Sequence, residues 1–207
     1  MKKPMLSNHF KERKPSSIRQ AQIKFSKRVD QDKVKVVNLA IGNVNLPIHP
    51  AMKKRMYNLS FKKPFSNGRV PYTSTKGLLE TRNAFLNAIS SLDIDVSELY
   101  INITDGGSSA MEIMMLGVCG PSSVRPIMLL DPSYTNYSQF SKRLNIPVIN
   151  IDRKLNDSGK FESLDINKIS QAVEIHSPSA IVIIPYDNPT GQFLNQSTIN
   201  EIAKICV

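Results

Sequence analysis

The chain has 207 residues, of which 41% are apolar and 21% charged, which is the composition of an ordinary globular protein. No apolar run reaches the roughly 18–20 residues of a membrane-spanning helix, and the charged stretch 6–35 leaves no room for an export signal. Cys119 and Cys206 lie far apart in apolar surroundings, without metal-ligand spacing. The sequence therefore predicts a cytoplasmic protein without membrane attachment or metal site, with both thiols buried.

The positive charge is concentrated at the start of the chain. Residues 1–70 hold 17 Lys and Arg against 3 Asp and Glu, whereas residues 71–207 hold 10 against 14. This asymmetry allows a nucleic-acid-binding arm or a solvated, anion-attracting face. The basic residues are spread out, and no zinc knuckle, aromatic RNA-binding signature or helix-turn-helix pattern accompanies them. We therefore expect no nucleic-acid partner, with a basic nucleic-acid-binding protein as an alternative.

The first ninety residues predict short elements between loops. Ser16 and Ser17 cap a predicted helix, the stretch 34–42 is strand-like, and Pro50 starts a helix that ends near residue 60. A turn is expected at Asn67-Gly68. The next predicted helix covers 77–90, and its expected buried residues are Leu78, Leu79, Ala84, Phe85 and Ile89.

From residue 99 onwards, strands and helices alternate regularly. Predicted strands cover 99–105, 124–131, 147–152 and 179–187; predicted helices cover 108–119, 133–144, 165–173 and 197–207. The strands are almost continuously apolar, which is typical of strands that are covered on both faces. The expected fold is therefore α/β, with a mixed, mostly parallel sheet and helices on both faces.

A glycine-rich loop follows the first of these predicted strands. Two glycines, Gly106 and Gly107, let the backbone approach a ligand closely, and the helix that follows presents free amides. Ser109 and Glu112 fit a capping box, and Asp105 is expected to cap backbone amides. The loop is either a phosphate site or simply a tight turn.

Two further strand ends carry unusual side chains. Tyr134 follows the strand 124–131 and could stack on a planar ligand or pack on a neighbouring helix. Asn188 follows the strand 179–187 and could donate its amide to a ligand oxygen or simply form a turn. Because the carboxyl ends of parallel strands meet at one edge of a sheet, the three loops together suit a flat, phosphorylated aromatic ligand.

Five motifs give the chain a resemblance to a known family. They are Asn188-Pro189-Thr190-Gly191 and the segments 38–50, 71–85, 104–114 and 129–137. In this order and spacing, over about residues 16–207, the chain resembles the N-terminal half of the class I/II aminotransferases, fold-type I enzymes that use pyridoxal 5'-phosphate. The resemblance implies an N-terminal arm and small-domain segment over 1–45 and the first part of the cofactor-binding large domain over 46–207.

The resemblance also implies roles for individual residues. The amides of Gly107 and Ser108 would hold the cofactor phosphate, Tyr134 would stack on the pyridine ring, and Asn188 would bind the phenolic oxygen. Tyr72 would reach the neighbouring subunit's phosphate in a homodimer, or pack locally. Gly42 would border the substrate carboxylate. The implied reaction moves an amino group between an amino acid and a 2-oxo acid.

The family's Schiff-base lysine has no counterpart that we recognise in this chain. Lys204, the only lysine after Asn188, sits in a predicted amphipathic helix rather than a strand-end loop, so we expect it to be a solvated helix residue. We therefore expect the 207-residue chain alone to be inactive. Lyases and decarboxylases of the same fold, and a non-catalytic truncated remnant, are the alternative functions.

Overall fold

The structure is a computed structural model that describes residues 5–38, 42, 45–59 and 67–207. The chain divides into two compact units, Met1–Tyr72 and Thr73–Val207. The family resemblance implies a different boundary, between residues 45 and 46, where the family's small domain ends and its large domain begins. That boundary stays a prediction.

The first unit contains short helices in its described part. They are α1 (Asn8–Lys11), α2 (Ser17–Ser26), a 3-10 turn (Gln31–Lys33) and α3 (Pro50–Tyr57). The expected cap of α2 is confirmed, because the Ser16 hydroxyl accepts a hydrogen bond from the Arg19 amide over 3.4 Å. The expected strand at 34–42 is wrong for residues 34–38, which form no strand, and residues 39–41 lie outside the described residues.

The second unit carries the sheet. Its helices are α4 (Leu79–Ser90), α5 (Gly107–Cys119), α6 (Thr135–Leu144), α7 (Ile166–His176) and α8 (Gln196–Ile205); its strands are β1 (Ile127–Asp131), β2 (Val148–Asp152) and β3 (Ala180–Val182). All strand pairs are parallel, in the order β2-β1-β3. The predicted α/β class and parallel sheet are confirmed.

Helices cover both faces of the sheet. Successive side chains of the central strand point to opposite faces, and apolar residues occur on both. Met128 and Leu130 pack with Ile169 of α7 and Ile202 of α8. On the opposite face, Ile127 belongs to a second apolar cluster, which includes Met115 and Cys119 of α5 and Phe140 of α6. A fully buried side chain such as Met128 contributes about 1.5–3 kcal/mol to stability.

Residues 99–105 do not form the predicted strand. A strand needs a hydrogen-bonded neighbour, and no described strand pairs with this segment. Instead, the Ile103 amide donates to the Lys76 carbonyl over 3.1 Å. Gly77 makes this approach possible: at φ +90° it lies so close to Ile103 that an added Cβ would stand 2.5 Å from Ile103 Cγ1.

The expected buried face of α4 is also wrong in part. Leu79 and Phe85 are 62% and 55% exposed. The helical period identifies which side of a helix is apolar, but burial of that side requires a second apolar surface. Within the described residues, α4 has few such neighbours.

Candidate functional site

The N-terminus of α5 is open to an anion. Gly106 is the N-cap at φ 86°, no side chain caps the helix, and no acidic residue lies in the first turn. The first intrahelical bond is donated by the Ala110 amide to the Gly106 carbonyl, over 3.3 Å. The amides of the preceding turn, including those of Gly107 and Ser108, therefore have no partner within the helix, and the helix dipole favours a negative charge there.

The predicted capping box at this helix is wrong. Ser109 lies inside α5, where its hydroxyl donates to the Asp105 carbonyl over 3.3 Å. Glu112 forms an ion pair with Arg143 of α6 instead of reaching back to the cap. The expected capping role of the Asp105 carboxylate is likewise not found, because the N-cap is a glycine and makes no side-chain bond.

Tyr134 stands at the N-cap of α6, directly beside the start of α5. The side-chain amide of Asn136 donates through Nδ2 to the Tyr134 hydroxyl over 3.0 Å and to the Ser108 hydroxyl over 3.4 Å. One side chain thus connects two residues that the sequence predicted separately, as phosphate and ring ligands. Among sequence-predicted residues, Ser108 and Tyr134 are brought together by these contacts.

The ring of Tyr134 contacts a second aromatic ring. It packs against Tyr137 in a T-shaped pair with 5.8 Å between ring centroids and an interplanar angle of 83°. Burial, and to a lesser degree the neighbouring Tyr134, raise the pKa of the Tyr137 hydroxyl. The Tyr134 side chain itself stays 38% exposed, so part of its ring remains available to a ligand.

The loop that carries Asn188 is a closed turn. The Asp187 amide donates to the Gln192 carbonyl, and the Gly191 amide donates to the Asp187 carbonyl, both over 2.8 Å. The Thr190 hydroxyl donates to the Asp187 carboxylate, and Gly191 adopts φ +70°, which favours glycine. The turn leaves Asn188 exposed on its outside.

Sequence reasoning missed an ion pair behind this loop. Arg153, the residue after β2, pairs with Asp187 over 2.7 Å, and both side chains are buried, at 4% and 7% exposure. The available signals were a charged residue directly after one strand and a carboxylate directly before Asn188. Neither signal reveals a partner 34 positions away.

The other predicted residues lie in the first unit. Gly42 and Tyr72 are both exposed there, and their roles toward substrate and cofactor stay predictions. Of the two cysteines, Cys119 is buried as predicted, and burial raises the pKa of its thiol. Cys206 is exposed, so the expectation for it is wrong; α8 ends at Ile205, and Cys206 is its C-cap.

Two further features concern the described residues only. Within residues 5–38, 45–59 and 67–207, no helix combines the length and apolar character needed to cross a membrane. The same part of the chain holds no group of three or more His, Cys, Asp or Glu residues placed to bind a metal ion.

The donor set suits a phosphorylated, planar aromatic ligand. Unpaired amides and a hydroxyl at the start of α5 match a phosphate, a partly exposed aromatic ring matches a planar heterocycle, and an exposed amide matches a ligand oxygen. The space beside Gly107 is open, since an added Cβ would meet no atom within 4 Å.

Comparison with known proteins agrees with this fold. The family model for aminotransferase class I and II matches residues 34–207. The chain belongs to the class I and II aminotransferase family.

Two curated relatives are similar in sequence. An aspartate aminotransferase from Sulfurisphaera tokodaii is 24% identical over 172 residues, which are 83% of this chain and 41% of the relative. A histidinol-phosphate aminotransferase from Synechococcus is 23% identical over 145 residues, 70% of this chain and 37% of the relative. The chain thus spans about two fifths of the length of these relatives.

Solved structures share the fold. An alanine aminotransferase from Pyrococcus furiosus superposes with a TM-score of 0.78 at 20% identity, covering 98% of this chain and 49% of that one. An aspartate aminotransferase from Thermus thermophilus, solved with maleate, superposes with a TM-score of 0.75 at 18% identity, covering 99% of this chain and 50% of that one. These fold-type I structures confirm the expected fold class.

Proposed function

We propose that this chain supplies the pyridoxal 5'-phosphate site of an aminotransferase that moves an amino group between an amino acid and a 2-oxo acid. The observation that carries the proposal is the pair of hydrogen bonds from Asn136 to Ser108 and Tyr134. These bonds join the uncapped start of α5 to an aromatic residue, and this supports a site for a phosphorylated ring ligand.

Each residue has a distinct part in this proposal. The amides of Gly107 and Ser108 bind the phosphate, and the ring of Tyr134 stacks on the pyridine. Asn188 donates its amide hydrogen to the phenolic oxygen and so favours the ionised form of that oxygen. When bound, the cofactor supplies an electron sink for the substrate α-carbon.

Further parts of the proposal rest on the family. Gly42 borders the substrate carboxylate, and Tyr72 reaches the partner's cofactor phosphate in a homodimer. A cytoplasmic location agrees with two free cysteines, since disulfides are typical of oxidising compartments. The relatives carry different substrate names, aspartate and histidinol phosphate, so we assign no particular amino acid.

Cofactor titration tests the site. Pyridoxal 5'-phosphate is added to the purified chain while its absorbance and the protein fluorescence are followed, with pyridoxal as a control that lacks the phosphate. We expect saturable binding of the phosphorylated form and much weaker binding of pyridoxal. Equal affinities for the two compounds would contradict the phosphate assignment.

Borohydride trapping followed by peptide mass mapping tests the role of lysine. Lys204 is exposed on α8, whereas a lysine that reacts with the cofactor must stand at its aldehyde. We expect no stoichiometric adduct on Lys204 and no turnover by the chain alone. A single adduct there, with turnover of an amino acid, would overturn this assignment.

Product analysis separates the related activities. A lyase or decarboxylase of the same fold would use the same cofactor-binding residues but would form a different product. Incubation of active protein with several amino acids distinguishes them by product: a 2-oxo acid from transamination, an amine from decarboxylation, or a cleaved side chain from a lyase.

A further inference from the structure

Arg153 contacts the two loops that carry Tyr134 and Asn188. Its guanidinium Nη2 donates to the Pro132 carbonyl over 3.0 Å and to the Leu130 carbonyl over 3.4 Å, and its Nε donates to the Asp131 carbonyl over 3.2 Å. The same Nη2 lies 2.7 Å from the Asp187 carboxylate.

These contacts have a common property: each is made to a residue that lies one to four positions before a proposed cofactor ligand in the sequence. The three carbonyls belong to the end of β1 and the turn that precedes Tyr134, and the carboxylate is adjacent to Asn188. The backbone amide of Arg153 adds a further bond to the Asp131 carbonyl, over 2.9 Å, which fixes the start of the side chain against the same turn.

Burial makes the arrangement rigid. Both charged side chains are more than nine-tenths buried, so the pair is shielded from water and salt, and each charge depends on the other for compensation. The planar guanidinium fixes the direction of several hydrogen bonds at once, which an ammonium group does not. Displacement of either loop would break contacts with a buried charge.

We propose that Arg153 is a positioning residue for the cofactor, which sets the placement of Tyr134 relative to Asn188 by binding both of their loops. This inference rests on the proposed function. Arg153 touches no cofactor atom in this scheme; it acts through the Pro132 carbonyl on one side and the Asp187 carboxylate on the other. The ring-stacking and oxygen-binding groups are thereby held as one preorganised set.

The first test uses hydrogen exchange in the cofactor-free protein. In Arg153→Met, amide exchange should accelerate together in peptides covering 131–137 and 186–193. The matched control is Arg143→Met, which removes the arginine of the more exposed pair with Glu112 and should accelerate neither loop. Unchanged exchange in both loops of Arg153→Met would overturn the proposal.

A second variant guards against misfolding. Arg153→Met leaves the Asp187 carboxylate buried without its charged partner, which is strongly destabilising. The double variant Arg153→Met/Asp187→Asn removes both charges. It should therefore be more stable than Arg153→Met, while the two loops remain uncoupled. If this folded double variant keeps wild-type exchange in both loops, the proposal is wrong.

The third test measures the bound cofactor. With pyridoxal 5'-phosphate, the double variant should bind roughly ten-fold or more weakly, since small misplacements of positioning groups have large effects. Its visible circular dichroism, which reports ring orientation, should change as well. A merely structural role would lower the melting temperature and leave the dichroism of the bound fraction unchanged, which would overturn the proposal.

The outcomes distinguish this inference from the proposed function. If the wild-type chain binds no pyridoxal 5'-phosphate, the proposed function fails, while hydrogen exchange still decides whether Arg153 couples the loops. If the wild type binds and the variants bind equally with the same dichroism, the proposed function stands and the positioning role fails.

Discussion

Ser108 and Asn136 join the first turns of two helices through a hydrogen bond of 3.4 Å from the Asn136 amide to the Ser108 hydroxyl. Asn136 also donates to the hydroxyl of Tyr134. A single side chain therefore fixes the distance between the proposed phosphate site on α5 and the proposed stacking ring ahead of α6.

Replacing Asn136 with Ala should loosen this connection. Each neutral hydrogen bond contributes about 1 kcal/mol and the substitution removes two, so we expect affinity for pyridoxal 5'-phosphate to fall by roughly five-fold to thirty-fold in a fluorescence titration. Tyr134→Phe is the matched control, because it removes only the hydroxyl contact and keeps the contact with Ser108. A larger effect of Tyr134→Phe than of Asn136→Ala would contradict the connecting role.

Gly107→Ala should weaken cofactor binding without harming the fold. An added Cβ at Gly107 meets no protein atom within 4 Å, so any crowding comes from the ligand. The control is Gly117→Ala in the same helix, where the added Cβ is equally free and should increase stability by about 0.5–1 kcal/mol. Titration with pyridoxal 5'-phosphate and thermal unfolding are measured on both; equal affinities would contradict the phosphate site.

Asn188→Ala should change the cofactor's titration more than the protein's stability. The exposed side chain is proposed to donate to an ionised oxygen, a bond that contributes about 1.5–3 kcal/mol. Its loss should raise the pH at which the absorbance of the bound cofactor changes. Asn195→Ala serves as the opposite control, because Asn195 caps α8 by accepting from the Thr198 amide over 2.9 Å. It should lower stability by about 1 kcal/mol and leave the titration unmoved.

Gly77→Ala should destabilise the second unit. The substitution combines a positive φ, which costs about 1–2 kcal/mol, with a Cβ that would stand 2.5 Å from Ile103 Cγ1, and overpacking adds about 1–3 kcal/mol. Gly159→Ala isolates the first effect, since Gly159 has φ +75° and open space around it. If denaturant unfolding gives equal losses for the two variants, the close approach to Ile103 is not important.

The two cysteines should react at different rates. Cys206 is exposed, whereas Cys119 is buried and its thiol pKa is raised by burial. With a thiol-specific disulfide reagent at mildly alkaline pH, we expect one rapid equivalent and a second only on unfolding. Because the Cys119 pKa is higher in the folded state, its contribution to stability is complete below the ordinary thiol pKa and is lost as the pH rises above it. Two rapid equivalents would contradict the burial of Cys119.

Local signals in the sequence predicted most of the second unit. Apolar runs such as Ile127–Leu130 are short and continuous, so they identify buried parallel strands, and the intervening amphipathic stretches identify helices. The Ser16 cap was also predictable, because capping depends on residues three positions apart.

Features that depend on distant partners were not predictable in this way. Ser109 and Glu112 fit a local capping rule, but Glu112 binds Arg143, 31 positions away. The segment 99–105, with its alternating Ile101 and Ile103, resembles a strand, yet hydrogen bonding to a neighbour decides whether it forms one. The Arg153–Asp187 pair depends on β2 and β3 lying on either side of β1, which only the folded sheet establishes.

The sheet order has a consequence for synthesis of the chain. β1 is central but is translated first, and its register pairs Ile127 with Val148 on one side and with Ala180 on the other. At roughly 5–20 residues per second, the ribosome adds the second partner about 3–10 s after β1 has been made. Throughout that interval at least one edge of β1 has no partner from its own chain, so the nascent protein is exposed to aggregation, and depends on chaperones, until β3 emerges.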